Sequence, residues 1–103
     1  MRTLLFTFAI AFGAMTAVHT PPAHAAVEDD LRDGDRYFER AEWQKAAAAF
    51  DRAIGKAPGQ VSAEAYGKRA AIYIILKDYK GGLDFLGRAK ARYPNAPEIL
   101  EQE

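Results

Sequence analysis

Apolar and polar positions along this chain recur with the period of a helix. Trp43, Ala46, Ala47, Phe50, Ala53 and Ile54 lie three and four residues apart and so share one helix face, with Lys45, Asp51, Arg52 and Lys56 between them. This predicts a helix from about Glu42 to Lys56. Ala57-Pro58-Gly59 ends it, because proline cannot continue a helix and glycine permits the turn. A preceding helix is predicted from Asp29 to Arg40. Ser62, a good N-cap, opens a third that runs to Leu76. A tight turn at Lys77-Asp78 leads to a fourth, Tyr79 to Arg92, with Leu83, Leu86, Ala89 and the aliphatic stem of Lys90 as its expected buried stripe. Asn95 stands three residues before Glu98, the spacing of a capping box, and is expected to open a short stub in which Ile99 and Leu100 make apolar contact.

The third helix departs from a one-faced pattern. Ala70, Ala71, Ile72, Tyr73, Ile74, Ile75 and Leu76 are consecutive. Such a helix is either sandwiched between neighbours or offers apolar surface to a partner. The expected fold is all-α: two stacked helix-turn-helix hairpins and a C-terminal helical stub.

The first 25 residues have a different character. Arg2 is followed by an apolar run from Leu4 to Val18, then by His19-Thr20-Pro21-Pro22 and Ala23-His24-Ala25. This is the pattern of a secretory signal peptide with an A-x-A cleavage site. The run is too short for a spanning helix. Residues 1–25 are therefore expected to be a leader and residues 26–103 the mature domain, periplasmic or otherwise secreted. With no cysteine in the chain, a cysteine-linked lipid anchor and disulfides are both excluded.

Once Arg2 is removed, 13 of the 14 Lys and Arg residues remain against 14 Asp and Glu, with the signs interspersed. That balance gives no field for nucleic acid and no polybasic membrane patch. Residues 26–103 contain no His, Cys or Thr and a single Ser, Ser62. Triad chemistry, thiol catalysis and Cys/His metal sites lack their side chains, so neither enzymatic activity nor a cofactor is expected. Glu28, Asp29, Asp30, Asp33 and Asp35 lack the alternation of an EF-hand loop and are read as helix N-terminal acids.

One ladder of residues carries the functional expectation: Gly34, Tyr37, Ala46, Phe50, Ala53 and Pro58. A looser copy follows as Ala70, Tyr73, Gly82, Leu86, Ala89 and Pro94, the two prolines lying 36 residues apart. The ladder resembles the tetratricopeptide repeat, whose unit of roughly 34 residues is a helical hairpin with small and aromatic residues at these places. The copies span about residues 27–60 and 63–96, with the stub at 95–103. Small residues at Gly34, Ala46 and Ala53 would let helix axes approach, and Tyr37, Trp43 and Phe50 would fill the adjacent space. Phe38, Phe85 and Tyr93 are not accounted for by the ladder. Asp30 and Asp33 stand where the pattern has Trp and Leu, and Tyr66 and Arg69 stand there in the second copy.

The resemblance implies a protein-binding scaffold or adaptor that holds a protein or peptide on the concave surface formed by the first helix of each pair. The residues it places there are Leu31, Asp35, Phe38 and Glu39 from the first copy. From the second come Gly67, Ala71, Ile74 and Ile75. Two copies are fewer than the three or so a stable stack needs. A capping stub, a second copy of the chain forming a homo-oligomer, or a partner is expected to complete it.

Overall fold

The computed structural model describes residues 23–102, and within them every regular element is helical. Residues 1–22, most of the expected leader, lie outside the described residues. Ala23–Ala25 form the first turn of helix α1, Ala23–Glu39, which begins six residues before its expected start. Helix α2 is Trp43–Lys56, α3 is Ala63–Ile75 and α4 is Tyr79–Arg92. The short α5 spans Pro97–Leu100. A single 3₁₀ turn, Pro58–Gln60, joins α2 to α3 and takes up the extra length between the two copies. No helix of the described residues is long and apolar enough to cross a membrane.

α1 pairs with α2, and α3 with α4, as two helical hairpins. Their turns are built alike. Ala41 has φ 60° and Lys77 has φ 64°, both left-handed and 36 residues apart. In the first turn the Glu42 amide donates to the Tyr37 carbonyl at 2.9 Å, and in the second Asp78 donates to Tyr73 at 2.9 Å. A left-handed C-terminal residue satisfies the last carbonyls of a helix, and glycine usually supplies it. Here alanine and lysine do.

The core forms where small residues admit large ones. A Cβ on Gly34 would stand 2.7 Å from the Phe50 ring, so that glycine is what seats Phe50 in the first hairpin. Ala46, Phe50 and Ala53 are fully buried with Val27 from α1 and Val61 from the loop. In the second hairpin Tyr66 stacks on Phe85 with ring centres 5.7 Å apart, and Tyr73 packs on Phe85 at 5.5 Å. The Tyr93 hydroxyl donates to the Val61 carbonyl at 2.6 Å and ties the end of α4 to the inter-hairpin loop. Phe85 and Tyr93 thus belong to the interior and its edge.

Two sequence expectations need correction. Leu83 is not part of the buried stripe of α4; it is 71% exposed, and the buried residues are Gly82, Phe85, Leu86 and Ala89. Gly82 fixes that phase, because a Cβ there would stand 3.2 Å from Tyr73 Cβ and α3 passes close by. Asn95 does not cap the stub. The N-cap is Ala96, without a side-chain bond, because Pro97 takes the first helical position. By contrast Ser62 does cap α3, its hydroxyl accepting from the Ala65 amide at 3.2 Å. Asp78 caps α4 by accepting from Gly81 at 3.0 Å.

Candidate functional site

A hollow lies between the end of α1 and α3, and α5 borders it. Ile99 anchors α5 by burying its side chain completely in the core. This brings Glu98 over α3 so closely that a Cβ on Gly67 would stand 2.8 Å from the Glu98 carbonyl oxygen. The hollow beside this contact is shallow, about 170 Å³, with Phe38, Gly67 and Ala71 as its floor and Glu64, Lys68, Glu98, Glu101 and Gln102 around it.

Charge in the hollow is unequal. Lys68 Nζ donates to Asp35 at 2.9 Å, stands 3.5 Å from Glu64 and lies 5.5 Å from the Phe38 ring centre. Burial works to lower the Lys68 pKa, but the Asp35 and Glu64 carboxylates outweigh it and hold the ammonium above its ordinary 10.5. Lys68 is thereby committed to Asp35 and Glu64. The carboxylates of Glu98 and Glu101 add negative charge on the α5 side. The surface can accept an apolar side chain against Phe38 and Ala71, flanked by a cation.

Of the eight residues the sequence places on a concave surface, Phe38, Gly67 and Ala71 meet in the hollow, and Asp35 stands at its edge through Lys68. Leu31 packs instead against the core, and Glu39 is exposed near the end of α1. Ile74 continues the Gly67–Ala71 stripe one turn further along α3. It lines a second hollow of about 300 Å³ with Tyr79, Gly82, Leu83, Leu86 and Gln102. Ile75 is exposed, so the end of α3 is not covered by the stub. Glu64, Lys68, Glu98 and Glu101 were missed; the one sequence signal for α5's share was the short helical stub expected after Pro94.

The acidic residues expected at a helix N-terminus instead lie beyond the first turn of α1, which starts at Ala23, and disperse into ion pairs. Asp29 pairs with Arg32, Asp33 with Arg36, and Asp30, only 7% exposed, accepts from Lys56 Nζ at 2.7 Å and Arg52 Nε at 3.2 Å. Asp30 thus stands in the aromatic place of the pattern as a neutralised charge that joins α1 to α2. Among the described residues no group of three or more His, Cys, Asp or Glu side chains could hold a metal ion.

Between the hairpins, Arg69 fills the leucine place and is 8% exposed. Its guanidinium lies 4.0 Å from the Tyr73 ring centre and donates to both Asp51 carboxylate oxygens, at 2.8 and 3.1 Å. Comparison with protein-family models, curated proteins and solved structures finds no match to this chain.

Proposed function

We propose that this chain is an exported, tetratricopeptide-like interaction module that holds a protein segment on its concave face. The observation that carries this reading is the hollow over Phe38, Gly67 and Ala71, framed by Glu64 of α3, Glu98 of α5 and Glu101 just beyond it. An apolar floor inside an acidic rim suits a segment in which a Leu- or Phe-like residue neighbours Lys or Arg. Export is proposed from the leader pattern of residues 1–25 alone. The ordinary work of such a module is adaptor or scaffold work, with affinity set by a few buried contacts and the charged rim governing encounter and salt dependence.

The test is cross-linked affinity capture from the native exported fraction with the wild-type chain and with Glu98→Lys/Glu101→Lys. Both glutamates are exposed, so the double variant is expected to keep its fold. Loss of the captured segment, with unchanged circular dichroism, supports the reading. Undiminished capture by the variant removes it. Trp43 is the chain's one tryptophan and packs edge-on to Phe38 with ring centres 5.3 Å apart, so its emission reports on occupancy of the hollow during peptide titration.

A further inference from the structure

The chain contains an internal template for its own uncovered surface. On α2, Gln44, Ala47, Ala48 and Asp51 form a stripe that faces Arg69, Tyr73 and Leu76 from α3 and the turn beyond it. Thirty-six residues on, the same stripe of α4 reads Lys80, Leu83, Asp84 and Gly87. No α-helix of the described residues lies over it. Leu83 is 71% exposed and Tyr79, one turn earlier, is 58% exposed. A Cβ on Gly87 would meet nothing within 4 Å. The stripe that borders the neighbouring hairpin on α2 is therefore repeated on α4 with Leu83 in the place of Ala47 and Gly87 in the place of Asp51, and is left open.

We infer that this face pairs with the same face of a second copy, α4 against α4 in antiparallel, about a two-fold axis near Leu83. The stripe is complementary to itself in size and in charge. With the axis at Leu83, the two Leu83 side chains meet, and each Tyr79 ring lies over the open backbone of the partner's Gly87. The same arrangement brings each Lys80 near the partner's Asp84 and each Asp84 near the partner's Lys80. The midpoint of the charged pairs falls one residue from that of the Tyr–Gly pairs, a rise of about 1.5 Å that a lysine stem spans. A two-fold interface requires such self-complementarity, since every contact is made twice. The second hollow, between Ile74, Leu83 and Leu86, adjoins the axis and gives the opposing leucine space to enter.

Head-to-tail stacking is the competing way to cover the face. The residues 36 positions before Arg69, Tyr73 and Leu76, in α1 and the turn after it, are Asp33, Tyr37 and Arg40. That mode would set Asp33 and Arg40 against Tyr79 and Leu83, desolvating charges over apolar surface. It would also build open filaments rather than a closed pair. The two-fold pair is argued from α4 and not from the hollow over Phe38, so it does not depend on the peptide-binding reading above.

The experiment exploits the absence of cysteine from the chain. Leu83→Cys introduced into the full chain is expected to yield a disulfide-linked dimer on mild oxidation, whereas Arg88→Cys, exposed on another side of α4, yields none. Sedimentation of the wild type is expected to show a concentration-dependent monomer–dimer equilibrium, weakened at least tenfold in Leu83→Glu with unchanged helicity. Lys80→Glu is expected to weaken the dimer, and Lys80→Glu/Asp84→Lys to restore it. A wild type that stays monomeric at high micromolar concentration overturns the proposal. So do assemblies that grow beyond two, and so does a dimer that survives Leu83→Glu, which would point to the apolar run of residues 4–18 instead. Peptide capture by Leu83→Glu separates the two readings, because a monomer that still captures removes only the pairing's relevance to the hollow and leaves the dimer measurement to stand alone.

Discussion

Replacing Arg69 with alanine is expected to cost more stability than any loss of its ion-pair partner, and the structure says by how much. Truncation removes the stacking of the guanidinium on Tyr73 at 4.0 Å, in a place only 8% open to solvent. A desolvated cation–π contact of this kind is worth about 2 kcal/mol. It also removes two buried methylenes beyond Cβ, about 0.8 kcal/mol each. The bond to Asp51 adds less, because that carboxylate is 53% exposed and water competes for it; such pairs contribute up to about 1 kcal/mol. Arg69→Ala should therefore lose about 3–4 kcal/mol, a large share of the roughly 4–12 kcal/mol expected for some 80 ordered residues. At about 4–8 °C per kcal/mol the midpoint should fall by about 12 °C or more. Asp51→Ala should lose about 1 kcal/mol or less, since removing that half-exposed carboxylate opens the guanidinium to the hollow beside Gln44 and Ala47, where water can replace the lost partner. Arg69→Leu keeps the burial and should fall between the two. Thermal and guanidinium unfolding followed by circular dichroism measure all three. If Asp51→Ala proves as damaging as Arg69→Ala, the ion pair holds the hairpins together and the stacking argument is wrong.

Two further perturbations address the first hairpin. Gly34→Ala should destabilise by about 1–3 kcal/mol through collision with the Phe50 ring, whereas Gly55→Ala, whose Cβ meets nothing, should stabilise by up to about 1 kcal/mol; equal guanidinium midpoints would show that the ring simply moves aside. The Asp30 carboxyl is held below its ordinary 3.8 chiefly by the hydrogen bond from Lys56, against the opposing effect of burial and with help from Arg52. Its stabilisation is thus complete above pH 3.8 and lost as pH falls through the lower folded value, so Asp30→Asn should melt earlier at neutral pH and show a shallower acid decline below about pH 3.8. An acid limb as steep as that of the wild type would place the titration elsewhere.

What the sequence made legible depended on whether a residue's role was local. The Ser62 cap, the stop at Pro58 and the close approach at Gly34 follow from backbone chemistry within a turn or a repeat, and the structure has all three. The phase of α4 was not local. Gly81-Gly82 shows no hydropathy, so Leu83-Leu86-Lys90 and Phe85-Leu86-Ala89 are equally regular stripes, and only the passage of Tyr73 beside Gly82 decides between them. Asp30 reads as a solvent residue because its cations lie 22 and 26 residues away on another helix. The hollow over Phe38 was half legible. Repeat register brought Phe38, Gly67 and Ala71 together, but the carboxylates that give the hollow its sign come from a stub whose docking depends on burying Ile99.

The matched turns at Ala41 and Lys77 have a constructive consequence. The backbone reverses in the same way at both bends, 36 residues apart, although the residues at the left-handed position differ, so the reversal is set by main-chain torsion and hydrogen bonding more than by side-chain identity. A stretch of 36 residues is therefore a transferable building unit. Duplicating it at the loop before Ser62, where the chain already has the longer connection, should add one hairpin without redesigning either bend.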